Sequence, residues 1–118
     1  MAGKLSTHVL DVANGRPARG MRIELWSRAG REPALLKTVH ANADGRTDAP
    51  LLAGDDLKKG EYELVFFVGD YFAGKLPAAP AVPFLGRVPV RFSIADARAS
   101  YHVPLLCSPW AYSTYRGA

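Results

Sequence analysis

The chain has 118 residues, 15 Lys plus Arg against 11 Asp plus Glu, and a formal charge of +4. That length supports one domain, residues 1–118, and 48% apolar with 22% charged residues is the balance of a globular chain rather than a disordered one. One cysteine, Cys107, excludes an intrachain disulfide framework and a cysteine-based zinc site.

Taken in chain order, the pattern is mostly β. Leu5 to Asp11 reads as a first strand, closed by Asn14-Gly15-Arg16-Pro17, which is strong turn punctuation. Met21 to Ser27 alternates with period two: Met21, Ile23 and Leu25 on one face, Arg22, Glu24 and Trp26 on the other. Leu35 to Ala41 is a third strand, and Asn42-Ala43-Asp44-Gly45 the next turn. Leu51 to Gly54 supplies a short edge strand. Lys59-Gly60 turns into Glu61 to Val68, the strongest strand in the chain. Asp70 is placed to cap a brief helix, Tyr71 to Lys75. Leu76 to Pro89 carries four prolines and reads as a wrapped loop that, with Trp26 and Phe66-Phe67, serves packing. Val88 to Ile94, Ser100 to Cys107 and Tyr112 to Arg116 complete the set. Seven or eight short strands with one small helix predict an all-β, two-sheet sandwich.

The basic residues, mostly Arg, are spread from Arg16 to Arg116 with no run of three, which argues against nucleic-acid binding. No segment is long and apolar enough to span a bilayer, and the start has no apolar signal-peptide core. A cytoplasmic protein with no membrane partner is the expectation.

No nucleophile elbow, metalloprotease helix motif, phosphate loop or paired-cysteine motif is present. The reactive candidates are histidines, one arginine and a hydroxyl-rich tail. His8 shares a strand face with Ser6 and Leu10, while Thr7 and Val9 point the other way. His102 shares a face with Pro104 and Leu106; both faces of its strand are apolar, as in a subunit interface. His40 sits at a strand end and reads as solvent-exposed. The histidines are too far apart in sequence, with no accompanying carboxylate pair, to suggest a metal site. Arg46 follows a turn, where its fork can meet two acceptors of an anion, and Asp48 is placed to orient or neutralise it. Tyr112-Ser113-Thr114-Tyr115-Arg116-Gly117 keeps aromatic and hydroxyl residues where chain ends are usually bland, which predicts an ordered terminal strand.

Leu5-Ser6-Thr7-His8-Val9-Leu10-Asp11, Asn42-Ala43-Asp44-Gly45-Arg46-Thr47-Asp48, Tyr101-His102-Val103-Pro104-Leu105, Ser108-Pro109-Trp110 and Tyr115-Arg116-Gly117 together resemble the 5-hydroxyisourate hydrolases, transthyretin-related enzymes of purine breakdown. The resemblance runs in order along the whole chain, and the Tyr-Arg-Gly tail is its most specific piece. It implies a transthyretin-like sandwich and a homotetramer with sites where dimers meet. It also implies hydrolysis of 5-hydroxyisourate to 2-oxo-4-hydroxy-4-carboxy-5-ureidoimidazoline without a cofactor. By the same resemblance His8, Arg46 and His102 fall on the family's catalytic positions. Tyr115 falls on its substrate-binding tyrosine, and Ser113 on a position lining the channel. The family's tail usually ends in Ser where this chain has Ala118, so a contribution worth at most about 1.5–3 kcal/mol is missing or met by Ser113 or water. The alternative is a transthyretin-like small-molecule carrier without hydrolase activity. Polar residues at His8, Arg46 and His102 and a bulky Tyr115 argue against an open apolar channel of that kind.

Overall fold

The computed structural model describes residues 3–76 and 80–117. Among the described residues, eleven short strands form two layers around one core, with one short α-helix. They are β1 (Lys4–Ser6), β2 (Val9–Asp11), β3 (Arg16–Pro17), β4 (Arg22–Ser27), β5 (Ala34–His40), β6 (Leu52–Ala53), β7 (Gly60–Phe66), β8 (Val88–Ile94), β9 (Tyr101–His102), β10 (Leu105–Cys107) and β11 (Tyr112–Thr114). The helix, α1, is Val68–Phe72.

One layer is the antiparallel sheet β5-β4-β7-β8. Its inward residues, among them Ile23, Leu25, Leu64, Phe66, Val88 and Ile94, are buried, as the period-two pattern requires. The other layer consists of β6-β1-β9 and β11-β10-β2-β3. These two pieces are one sheet with a local break. Leu5 pairs with Tyr101 and Val9 with Leu105, both in parallel and both in the same register. At the break the Val103 and Leu105 N–H groups still donate to Ser6 O and His8 O, both at 2.9 Å, but Val103 O accepts from the Thr7 hydroxyl at 2.7 Å. The ladder is interrupted, but the alternation is not: Leu5, Thr7, Val9 and Asp11 are buried, while Ser6, His8 and Leu10 look outward.

The count of eleven divides the seven or eight expected strands more finely. The strands over Leu5–Asp11 and Ser100–Cys107 each split at this break, and the two-residue β3 is added. Other details differ from expectation. The helix begins at Val68, so Asp70 lies within its first turn and caps nothing; Phe67 occupies the N-cap without a side-chain bond. Phe66 and Phe67 are buried, but Trp26 is only half-buried and donates through its indole N–H to Glu24 at 3.1 Å. Most described loop residues between Pro80 and Arg87 are not packing residues: Val82 is 83% and Phe84 74% exposed.

Candidate active site

The site is assembled on the outward face of the broken sheet. Ser6 and His102 are register partners on β1 and β9, and cross-strand partners present side chains to the same face. Their contact is direct, with Ser6 Oγ 2.8 Å from His102 Nδ1. His8 follows Ser6 on that face, in the gap between β1 and β2. Its Nε2 lies 2.9 Å from Asp44 O. A carbonyl oxygen can only accept, so this bond assigns the His8 proton to Nε2 and leaves Nδ1 as the ring's acceptor when the ring is neutral.

Arg46 reaches the site through a turn that Asn42 organises. The Asn42 Oδ1 accepts the N–H groups of Asp44 at 2.9 Å and Arg46 at 3.1 Å. The Asn42 N–H donates to Arg46 O at 2.7 Å. Gly45 sits in this turn at φ +78°, and a Cβ there would run into Val9 O and come within 3.2 Å of His8 Cδ2. Glycine is therefore what lets the turn lie against β2 and bring Asp44 and Arg46 to His8. Asp48 does not neutralise Arg46: its carboxylate accepts from Asn42 Nδ2 at 3.1 Å. Among the described residues no carboxylate ion-pairs with the Arg46 guanidinium.

The electrostatics follow from this gathering of positive groups. His102 is held below the ordinary value of 6.5, first by burial, then by the charge of Arg46, then by His8. It is thus disposed to be the neutral imidazole of the group at physiological pH.

The tail closes one side. Thr114 anchors it by donating to Pro104 O at 2.7 Å, and the Arg116 guanidinium lies 4.3 Å over the Tyr101 ring. Gly117 then bridges to His102, its N–H donating to His102 O at 2.7 Å. A Cβ on Gly117 would stand 2.6 Å from His102 Cδ2, so only glycine passes this close to the ring. Ser113 pairs with Leu106 in β11 and shares the outward face, and Tyr115, two residues on, is 58% exposed beside it. Ala118 lies outside the described residues.

The structure thus gathers His8, Arg46 and His102 and leads the strand bearing Ser113 and Tyr115 past them. His40 is exposed at the end of β5. Ser6 and Asn42 also work in the site: in sequence Ser6 shows only as a face-mate of His8 and Asn42 as a turn residue, because a parallel register linking Ser6 to His102 leaves no sequence signal. Among the described residues no group of three or more His, Cys, Asp and Glu is placed to hold a metal ion. What remains is two imidazoles and a guanidinium on a partly open face, a set that can take a proton from water and bind an anion.

Residues 5–117 match the HIUase/Transthyretin family. A protein of Rhizobium meliloti (strain 1021) named 5-hydroxyisourate hydrolase 2 is 54% identical over 99% of this chain and 98% of its own length. A 5-hydroxyisourate hydrolase of Mesorhizobium japonicum is 55% identical over 98% of this chain and 93% of its own. Among solved structures, the 5-hydroxyisourate hydrolase of Klebsiella pneumoniae superposes with a TM-score of 0.80 at 32% identity, covering 98% of this chain and 99% of that one. An (S)-allantoin synthase superposes with a TM-score of 0.93 at 44% identity. The match covers 99% of this chain but spans only 44% of the synthase chain.

Proposed function

Since the chain belongs to the HIUase/Transthyretin family, we propose that it hydrolyses 5-hydroxyisourate to 2-oxo-4-hydroxy-4-carboxy-5-ureidoimidazoline in urate breakdown, with His8, Arg46 and His102 as its catalytic residues. The observation that carries this reading is the convergence of two imidazoles and a guanidinium on one face.

Opening a ring amide needs a nucleophilic water and a stabilised tetrahedral oxyanion. His102 is the general base. Burial first, then Arg46 and His8, disfavour its protonated form, so it is neutral at neutral pH and ready to accept a proton. In the tautomer this mechanism uses, Nδ1–H donates to Ser6 Oγ, 2.8 Å away, and Nε2 is the acceptor. His8, its Nε2–H engaged by Asp44 O, presents Nδ1 to orient the same water. As the water oxygen bonds to the carbonyl carbon, its proton passes to His102 and negative charge gathers on the carbonyl oxygen. Arg46 faces that charge and the anionic ring, and its planar fork suits both. Collapse of the intermediate breaks the C–N bond, and the proton held by His102 goes to the leaving nitrogen. Tyr115 and Ser113 bind the planar substrate from the tail.

We further propose that the working form is a homotetramer with its sites where dimers meet. The outward face supports this, since Leu10, Val12, Leu106 and Tyr115 leave apolar surface on the face that bears the imidazoles. No described helix is long and apolar enough to cross a membrane. The single thiol, Cys107, is buried and pushed up to about 12, first by burial and then by Asp11, which leaves it out of the chemistry.

The test is the purified chain mixed with freshly generated 5-hydroxyisourate, followed by loss of absorbance. Acceleration that largely disappears in His102→Asn and in Arg46→Ala is expected, and it should persist in EDTA. A wild-type rate equal to buffer, with tight binding of an apolar carrier ligand such as thyroxine, would overturn the hydrolase reading.

A further inference from the structure

A second concavity lies away from the imidazoles. Between β3 and α1 a hollow of about 350 Å³ is lined by Arg16, Pro17, Arg19, Ala43, Tyr71 and Lys75. Three cations share its rim, and no carboxylate is among its lining residues. Among the described residues none of the three ion-pairs with a carboxylate. The acid nearest in the bonding network is already engaged: Asp11, 1% exposed, accepts from the Tyr71 hydroxyl at 2.8 Å, from Asn14 N–H at 2.9 Å and from Asn14 Nδ2 at 2.8 Å.

The floor is apolar and rigid. Tyr71 is fixed through its hydroxyl, its ring carries the Lys75 ammonium at 4.4 Å, and Pro17 is paired into the sheet opposite Leu10. Arg16 also acts on Tyr71, where its charge works against the rise that burial and Asp11 impose on the phenol. The three cations are exposed, and one hollow lined by all of them favours an anion that they can share. Two guanidinium forks offer paired N–H donors and the ammonium a point charge, which is the donor set of a phosphate site. A single carboxylate would leave most of that charge unanswered.

We propose that this hollow binds a small polyanion of the phosphate class, held by Arg16, Arg19 and Lys75. The site is separate from the catalytic face yet backs onto the same turn. Ala43 belongs to the Asn42–Arg46 turn, and a Cβ on Gly45 would come within 3.1 Å of Pro17 Cβ. The proposal does not depend on the hydrolase reading, because it concerns other residues.

Calorimetric titration of the full chain with inorganic pyrophosphate at low salt tests it. Wild type should bind saturably, one anion per chain, and more weakly as salt rises. The double variant Arg16→Gln/Arg19→Gln should bind about ten-fold more weakly or worse, and Arg46→Gln within about two-fold of wild type. Lys75→Gln, a lone change at an exposed position, should weaken binding several-fold and guards against misfolding of the double variant. Absence of saturable binding by wild type, unchanged affinity in both Arg16→Gln/Arg19→Gln and Lys75→Gln, or loss in Arg46→Gln would overturn it. The hydrolase assay run beside the titration should show Arg16→Gln/Arg19→Gln at wild-type rate without added anion, which separates the two readings.

Discussion

His102 depends on its neighbours for both its proton and its orientation. Arg46→Gln removes a positive charge from its surroundings as well as the anion partner. We expect kcat/KM to fall about a hundred-fold, the scale of one lost charge-stabilising donor. The acid limb of the pH profile should also move upward: the wild-type limb lies below 6.5, and removing the cation lets the imidazole protonate more easily. An unmoved limb would show that Arg46 does not tune the base. Ser6→Ala tests orientation. One hydrogen bond of roughly 1.4 kcal/mol corresponds to about ten-fold in kcat, with KM little changed and partial rescue by Ser6→Thr. Equal loss in kcat and in thermal stability would instead mark Ser6 as merely structural. The face of His8 is legible from period-two alternation, whereas that of His102 is not, because both faces of its strand are apolar. Nor is the Ser6 bond, because it rests on a register between positions 96 residues apart.

Among the elements, the turn and the helix carry the distant consequences. Gly45→Ala places a side chain at φ +78° and against Val9 O, a strain of order 1–3 kcal/mol. The turn should shift, and activity should fall further than melting temperature does, since Arg46 and the Asp44 carbonyl ride on it. The helix is tied to the sheet by the Tyr71–Asp11 bond. Burial alone would raise Asp11, but the donors from Asn14 and Tyr71 outweigh it and hold the carboxyl below 3.8. A depressed carboxyl stabilises the fold above its unfolded value, and that stability drains away as pH falls below 3.8 through the folded value. Tyr71→Phe should cost about 1–3 kcal/mol at pH 7 by urea unfolding, with the gap to wild type narrowing only below pH 3.8. Strand positions were readable because alternation marks them. The helix start and the loop were not. Asp70 looks like a cap in sequence, yet backbone geometry places Phe67 there, and apolar residues such as Phe84 signal burial that the loop does not give them.

For the whole molecule, the outward face predicts assembly. Sedimentation should report a tetramer, and Leu106→Arg, at a half-buried position on that face, should shift it to smaller species with a parallel loss of hydrolysis. A fully active monomer would remove the tetramer from the reading. Alternation could show two apolar faces on the strand of His102, but not what covers the second.

The parallel pairing of β1 with β9 and β2 with β10 also fixes when the protein can work during its own manufacture. On one side β1 pairs with β6 and β2 with β3, but the other edge of each has no partner in this sheet until residues 101–107 have been made. His8 therefore waits for His102, and no truncated product that stops short of β9 holds both imidazoles. Degradation products and premature chains are thus barred from partial activity by topology. The waiting edge of β1 and β2, rather than the chemistry, is where a chaperone would be most useful.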